Sequence, residues 1–299
     1  MSDDIRKRLK KLNRGPLRES HQGANSGRKY SQSPRRLNPL PSVFRKPSVI
    51  RAAGPPFIEL REVVTGDEVC NQRGKFLLTG RDMAEFVADS DDLNAAYTRF
   101  IGGSEVLSDD VSLSGDFKAL LRTEPSRVLY LDIETTGLSS TPLFLVGTMF
   151  LNDNRFCIQQ LFAREYCEEA ALIEYLKEFA RNYDCLVTFN GKSFDIPFIR
   201  SRAVTNMTEF NWNEAHLDLL HEARRRYRSK LENCKLQTLE AEICGRSRTG
   251  DIPGSEIPDA YHSFVRTGNA YKIQNILYHN ALDLITMAEL LLNMLSAEE

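Results

Sequence analysis

One short segment of the chain, 128–133, most constrains how it can fold. It reads Val-Leu-Tyr-Leu-Asp-Ile and is apolar except for Asp132. A nearly continuous apolar run of this length is typical of a central strand that is buried on both faces of a sheet. Side chains two apart on a strand point to the same face, so Asp132 and Glu134 project together from its end. Two carboxylates that lose solvation side by side repel each other, and the pair therefore predicts a bound cation.

The segments that follow predict the rest of the sheet. Residues 143–151 and 156–162 are predicted strands, and the polar turn at 152–154 joins them as a hairpin. Together with 128–133 they give three consecutive antiparallel strands. Further along, a strand is predicted at 185–189, a strand or helix start at 216–220, and helices at 168–183, 194–203, 222–230, 234–244 and 271–295. Strands first, then alternating helices and strands, favour an α/β fold with a mixed sheet flanked by helices.

The N-terminal part of the chain differs in composition from the rest. Residues 1–56, rich in Arg, Ser, Pro, Gly and Asn, are predicted to be a disordered basic tail. Residues 57–125 are predicted to be a small N-terminal extension of a main domain at 126–299. Within this extension the pattern predicts strands at 57–64 and 75–78, and helices at 81–88 and 93–100.

Charge is distributed unevenly along the chain. Residues 1–52 carry 14 Lys and Arg against three acidic residues, a net charge of +11, and 53–299 carries −13. A basic tail on an acidic body favours a polyanionic partner, with a purely solubilising tail as the alternative. The basic run 224–230 is interpreted in the same two ways, as a contact with a nucleic-acid backbone or as a plain solvated surface.

Other features of the sequence exclude several classes of protein. No apolar run is long enough to span a bilayer, and the N-terminus lacks the apolar stretch of a secretory signal, so no membrane association is expected. The six cysteines are scattered without zinc-site spacing, which predicts reduced thiols and a cytoplasmic protein. The sequence contains no P-loop, no G-x-S-x-G and no H-E-x-x-H, so nothing indicates another class of hydrolase or phosphotransferase.

Two further patches carry residues of chemical interest. Residues 188–195, Thr-Phe-Asn-Gly-Lys-Ser-Phe-Asp, place Asp195 after a strand and a glycine turn, near the start of a helix. In the apolar helix at 271–295, His279 and Asp283 are four residues apart and share one face. Taken singly, Asp195 is also explained as an ordinary acid at a helix start, and His279 as a core histidine.

Together, the three patches resemble the DEDD superfamily of 3′-5′ exonucleases, and most closely the YprB-type ribonuclease H-like domain family. The resemblance covers about 126–295. It rests, in chain order, on Asp132-Ile-Glu134, on Asn190-Gly-Lys-Ser-Phe194-Asp195, on His279 to Asp283, and on the later blocks 216–220, 236–240 and 251–254.

The resemblance implies a ribonuclease H-like fold and hydrolysis of phosphodiester bonds at the 3′ end of DNA or RNA. Two Mg²⁺ or Mn²⁺ ions would be held by four carboxylates, because hard ions prefer oxygen ligands. These metal ligands would be Asp132, Glu134, Asp195 and Asp283. Thr135, Asn190 and Phe194 would contact the substrate. No protein partner is indicated.

The identity of the general base is less clear from the motif. In the superfamily a tyrosine lies four residues before the last aspartate, or a histidine five before it, whereas here His279 lies four before and Tyr278 five before. His279 is the predicted base, because imidazole accepts a proton near neutral pH, and Tyr278 is the alternative. The unusual spacing also leaves a second interpretation, a nucleic-acid-binding protein that kept the fold and lost catalysis.

Overall fold

The computed structural model describes residues 35–36, 56–101, 113–138 and 140–296. The predicted tail, 1–56, lies outside the described residues except for 35, 36 and 56. The strands are β1 (Arg35–Arg36), β2 (Asp67–Asn71), β3 (Gly74–Asp82), β4 (Val128–Thr135), β5 (Leu143–Asn152), β6 (Arg155–Phe162), β7 (Cys185–Thr188), β8 (Ala215–Asp218) and β9 (Arg246–Ser247). The helices are α1 (Leu60–Val63), α2 (Ser90–Phe100), α3 (Gly115–Leu121), α4 (Glu169–Ala180), α5 (Asp195–Thr205), α6 (Leu219–Tyr227), α7 (Leu236–Glu242), α8 (Ile257–Thr267) and α9 (Ile273–Ser296).

Seven strands form one mixed sheet in the order β2-β3-β6-β5-β4-β7-β8. The pairs β2-β3, β3-β6, β6-β5 and β5-β4 are antiparallel, and the pairs β4-β7 and β7-β8 are parallel. The predicted α/β fold with a mixed sheet is therefore confirmed. Two strands of the segment 57–125, β2 and β3, extend this sheet on the side of β6. The two-residue strand β1 pairs separately, in parallel, with β9.

Helices cover both faces of the sheet. The long helix α9 is buried along almost its whole length and lies over β4 and β5. On the opposite face Phe179 of α4 packs edge-on against Phe150 of β5, with ring centroids 5.5 Å apart. Because side chains alternate along a strand, the side chains of Phe150 and its neighbour Met149 point to opposite faces of the sheet. The core thus lies on both sides of the central strands, as their apolar sequences predict.

Two predicted elements in the N-terminal extension are wrong. The predicted strand at 57–64 is instead a coil followed by the single helical turn α1, because the carboxylate of Glu62 accepts the backbone N–H of Glu59 at 2.9 Å and caps the turn. The predicted helix at 81–88 is instead the end of β3 and a 3₁₀ turn. Arg81 and Asp82 still pair with β6, and the Asp82 carboxylate then accepts the N–H of Ala84.

The other predicted elements match the structure to within a few residues, but β2 and the short strands β1 and β9 are additions to the predictions. The hairpin at 152–154 has two residues with positive φ, as a tight turn between twisted strands requires. Helices α3 and α8 were not predicted. In the described part of the chain, no helix combines the length and the apolar character needed to cross a bilayer.

Candidate active site

Asp132 and Glu134 stand near the end of β4, where the sheet changes from antiparallel to parallel. β4 pairs with β5 along its length, but its pairing with β7 runs only from Val128 to Tyr130. The carboxyl ends of β4, β7 and β8 therefore meet at one edge of the sheet, the usual position of a ligand site in an α/β fold. Both acids face the layer that α9 occupies, because the side chain of Asp132 is hydrogen-bonded from that helix.

Asp195 reaches the same edge through the turn that follows β7. Asn190 adopts a positive φ of 67°, which reverses the chain before α5 begins at Asp195. The Asp195 carboxylate accepts a hydrogen bond from the backbone N–H of Ile133, which lies on β4 between the two other acids. The structure thus brings the second predicted patch against the first.

Asp218, the last residue of β8, holds this turn in place. Its carboxylate oxygens accept the backbone N–H groups of Asn190 at 2.8 Å and Lys192 at 3.1 Å. Between them, Gly191 packs so tightly that an added Cβ would lie 2.3 Å from the hydroxyl oxygen of Thr188. Asp218 is therefore a positioning residue for the segment that carries Asp195, a role that the sequence indicated only through a block of family resemblance.

The third patch lies on α9. Nε2 of His279 is 3.6 Å from Oδ2 of Asp283. Nδ1 of the same ring contacts both carboxylate oxygens of Asp251 at 2.9 Å, which orients Nε2 toward the acids. Tyr278 is buried, and its ring stacks on Phe86 with 6.2 Å between centroids. The structure therefore places His279, rather than Tyr278, next to Asp283.

Asn280, also on α9, joins the helix to the sheet. Its Nδ2 donates to Oδ2 of Asp132 at 2.8 Å, and its Oδ1 accepts Nε2 of Gln160 at 2.9 Å. Asp132, Gly147 and Gln160 are direct neighbours across β4, β5 and β6. The amide of Asn280 lies on Gly147 in the middle of this row, where an added Cβ would come within 2.0 Å of Oδ1. The sequence alone predicts no role for Asn280.

The four predicted acids act on one another electrostatically. Burial holds the pKa of Asp132 well above its ordinary value, and the charges of Asp283, Glu134 and Asp195 add to the rise. Burial raises the pKa of Glu134 to about 8 and that of Asp195 to about 7, and the charge of Asp283 adds to both rises. These effects agree with the contacts: Asn280, which donates to Asp132, lies one helical turn before Asp283, and Asp195 accepts the N–H of Ile133, so the elements that carry the four carboxylates meet in one pocket.

Arg248, which was not predicted, is buried among three acids on the α9 side of this pocket. Its guanidinium donates to Glu240 at 2.5 Å, to Asp251 at 3.2 Å and to Asp283 at 2.5 Å. Burial lowers the pKa of His279, but the hydrogen bond with Asp251 and the charge of Asp283 outweigh burial and raise that pKa to about 9. At neutral pH the cations of Arg248 and His279 therefore face the acids Glu240, Asp251 and Asp283.

The predicted substrate-binding residues border the pocket. Thr135 follows Glu134 at a register shift in β4, and its hydroxyl donates to the carbonyl of Gly137 at 2.7 Å. Asn190 and Phe194 are half-buried in the turn that leads to α5. Their contact with a substrate stays a prediction.

The donor chemistry of the pocket fits a hard divalent ion. In the part of the chain that the structure describes, none of Asp132, Glu134 and Asp195 forms an ion pair, although all three acids share the pocket. No group of three or more His, Cys, Asp or Glu side chains among the described residues is arranged to hold a metal ion, and Asp283 turns one oxygen to Arg248. Carboxylate oxygens are the ligands that a hard divalent ion prefers, but among the described residues the side chains would have to move to hold one.

The basic run at 224–230 divides between surface and core. Arg225 pairs with Glu222 at 2.6 Å, and Arg226 donates to the carbonyl of Met294 and lies over the ring of Phe117. The exposed members of the run are Arg224, Arg225, Arg228 and Lys230. Only these exposed side chains are available to a nucleic-acid backbone, and that contact stays a prediction.

Three of the matches with known proteins describe what this chain resembles. A family model described as RNase_H superfamily matches residues 129–295. The uncharacterized protein YprB of Bacillus subtilis (strain 168) is 31% identical over 179 residues, which are 56% of this chain and 42% of YprB. This chain thus spans less than half the length of that relative. The family B DNA polymerase of the hyperthermophilic archaeon Pyrobaculum calidifontis is similar in structure with a TM-score of 0.45 and 17% identity, over 56% of this chain and 24% of the polymerase.

Proposed function

This chain belongs to the RNase_H superfamily, and we propose that it is a divalent-metal-dependent nuclease that hydrolyses phosphodiester bonds of DNA or RNA from a 3′ end. One observation carries the proposal. Acids from three distant parts of the chain, on β4, α5 and α9, meet at one end of the sheet: Asn280, one helical turn before Asp283 on α9, donates to Asp132, and Asp195 of α5 accepts the N–H of Ile133 on β4. A protein that only binds nucleic acid has no need to gather half-buried and buried carboxylates of like charge in this way.

The acids share one task in the proposed mechanism. Asp132, whose side chain is fixed by Asn280, would hold the ions together with Glu134, Asp195 and Asp283. Bound Mg²⁺ or Mn²⁺ would lower the pKa of the attacking water and stabilise the leaving oxygen. The turn held by Asp218 leads to Asp195, whose carboxylate accepts the N–H of Ile133 on β4.

His279 is the proposed general base. Asp251 fixes Nδ1, so Nε2 faces the acids, and once the imidazole has lost its proton Nε2 would accept the proton of the attacking water. The negative charge of Asp283 raises the pKa of this imidazole, and cations bound to the acids would remove that cause. Thr135, Asn190 and Phe194, at the border of the pocket, would contact the terminal nucleotide.

One observation favours a second candidate, a nucleic-acid-binding protein without catalysis. Asp283 is paired with Arg248, so a cation already occupies one oxygen of a proposed ligand. If this ion pair is permanent, the chain keeps the fold but cannot complete its metal site.

The proposal is tested with single-stranded DNA and RNA labelled at either end, incubated with the chain and Mn²⁺ or Mg²⁺. We expect shortening from the 3′ end, abolished by EDTA. Asp132→Asn should lower the rate at least about 10³-fold, because it removes a charge on which both ions depend. His279→Gln should lower it about 10²-fold, the usual scale of general-base assistance.

The matched control is Asp153→Asn. Asp153 is exposed in the hairpin turn, and asparagine tolerates its positive φ equally well. This variant should degrade the substrates at the wild-type rate. Equal rates for wild type and Asp132→Asn would refute the proposed site, and metal binding without degradation would support the second candidate.

A further inference from the structure

Asp283 differs from the other three acids of the candidate active site in having an arginine beside it. Nη2 of Arg248 lies 2.5 Å from Oδ1 of Asp283, and the arginine side chain is only 7% exposed. A divalent ion that uses Asp283 as a ligand therefore meets a positive charge already in contact with that ligand. Two cations at hydrogen-bond distance from one carboxylate repel each other strongly in a buried pocket.

The structure also contains a second carboxylate, that of Glu240, with which the guanidinium of Arg248 can pair. Its Nε donates to Oε2 of Glu240, whereas Oε1 of Glu240 is buried and accepts no hydrogen bond from the described residues. A cavity of about 440 Å³ is lined by Arg248, Glu240 and Asp251, among others. A small rotation of the guanidinium into this space would exchange the bond with Asp283 for a two-pronged bond with Glu240. Such fork-shaped pairing is the preferred geometry between arginine and a carboxylate.

We infer that Arg248 is an intramolecular counter-ion that a divalent metal ion has to displace from Asp283, so that this arginine sets how tightly the site binds its metal. The inference rests on the proposed function, because it takes Asp283 as a metal ligand. Arg248 acts through Asp283 and is thus a positioning residue. Glu240 receives the guanidinium when Asp283 turns to the metal.

The test measures Mn²⁺ binding to the full chain, without nucleic acid, by the loss of the free Mn²⁺ signal in electron paramagnetic resonance. We expect Arg248→Met to bind Mn²⁺ about tenfold more tightly than wild type, because a competing charge is gone. Glu240→Gln should bind Mn²⁺ several-fold more weakly, because the displaced guanidinium loses its anionic partner. The two substitutions on one ion pair should thus change the affinity in opposite directions.

Asp283→Asn supplies the matched background. There, Arg248→Met and Glu240→Gln should each change the Mn²⁺ affinity by less than about twofold, because the competition for Asp283 is absent. A change in affinity that persists in this background would mean that Arg248 acts through the general field of the pocket, and would overturn the inference.

A measurement on wild type keeps the inference testable even if a variant fails to fold. The ¹⁵N resonances of the Arg248 guanidinium, assigned by their absence in Arg248→Lys, should shift on saturation with diamagnetic Mg²⁺. Unshifted resonances at saturating Mg²⁺ would overturn the inference, as would equal Mn²⁺ affinities of folded wild type and Arg248→Met. By contrast, wild type that binds no Mn²⁺, or binds it as tightly as Asp132→Asn does, would refute the proposed function itself.

Discussion

The two halves of the candidate active site bury their acids in different ways. The acidic half lies on β4 and α5. The carboxylates of Asp132 and Asp195 accept hydrogen bonds, and none of its acids forms an ion pair with another described residue. The paired half lies on α9 and the loop before α8, and there each acid touches a cation. The acidic half consists of Asp132, Glu134 and Asp195, and the paired half of Arg248, Asp251, His279 and Asp283.

This difference shows which half depends on a ligand. A buried charge costs several kcal/mol unless an opposite charge or several hydrogen bonds offset the loss of water. The paired half contains its own offset and is complete within the fold. The acidic half remains uncompensated, and its pKa values rise as a consequence. An external cation therefore has most to gain at the acidic half, and replacing an acid by its amide should have opposite effects in the two halves.

The largest effect is expected in the paired half, for Asp251→Asn. This change leaves Arg248 and His279 with one carboxylate fewer, and an unmatched buried charge is costly. We expect the free energy of unfolding to fall by about 3 kcal/mol, measured by urea denaturation in EDTA at pH 7.5. The control is Asp259→Asn. Asp259 is an exposed acid in the first turn of α8, and this substitution should change the free energy of unfolding by less than about 0.5 kcal/mol. Equal effects of the two substitutions would show that the paired half is not held by charge.

The second effect concerns the junction between the halves, where Asn280 rests on Gly147. Gly147→Ala places a Cβ 2.0 Å from Oδ1 of Asn280 and forces that amide away from Asp132. We expect the free energy of unfolding to fall by about 2 kcal/mol, the usual cost of overpacking, together with weaker Mn²⁺ binding.

Gly80→Ala is the matched control for this substitution. Gly80 also lies on a strand of the sheet, and an added Cβ there meets nothing within 4 Å. The control should be neutral or slightly stabilising, because alanine loses less backbone entropy than glycine. If Gly147→Ala is as well tolerated as Gly80→Ala, Asn280 does not fix the position of Asp132.

The sequence predicted the acidic half together with His279 and Asp283, and missed the roles of Arg248 and Asp251, for a physical reason. Strand alternation places Asp132 and Glu134 on one face, and helical spacing places His279 beside Asp283, so periodicity alone brings these residues together. Arg248 and Asp251 lie in an irregular segment without any period. Their partners are set by tertiary packing, and a buried arginine cannot be told from a surface one by residue type alone.

The same distinction holds for the fold. The central strands and α9 have long apolar runs and were predicted, whereas the segment 57–64 alternates like a strand but ends in α1. A single interaction between Glu59 and Glu62 decides that turn, and such local capping competes closely with weak periodicity. The role of Asn280 depends on the register that aligns Asp132 with Gly147, which no local pattern reveals.

The smallest effect, and the one with the opposite sign, is expected for Asp132→Asn in the acidic half. The amide removes a buried charge that three neighbouring acids repel, and it still offers an oxygen to Nδ2 of Asn280. We expect the free energy of unfolding in EDTA at pH 7.5 to rise by about 1 kcal/mol, although activity is lost. Saturating Mg²⁺ should stabilise wild type more than this variant, because ligand binding adds stability in proportion to affinity. If Asp132→Asn instead destabilises the chain as Asp251→Asn does, the acids of β4 and α5 are already compensated within the fold, and the acidic half has no need of a cation.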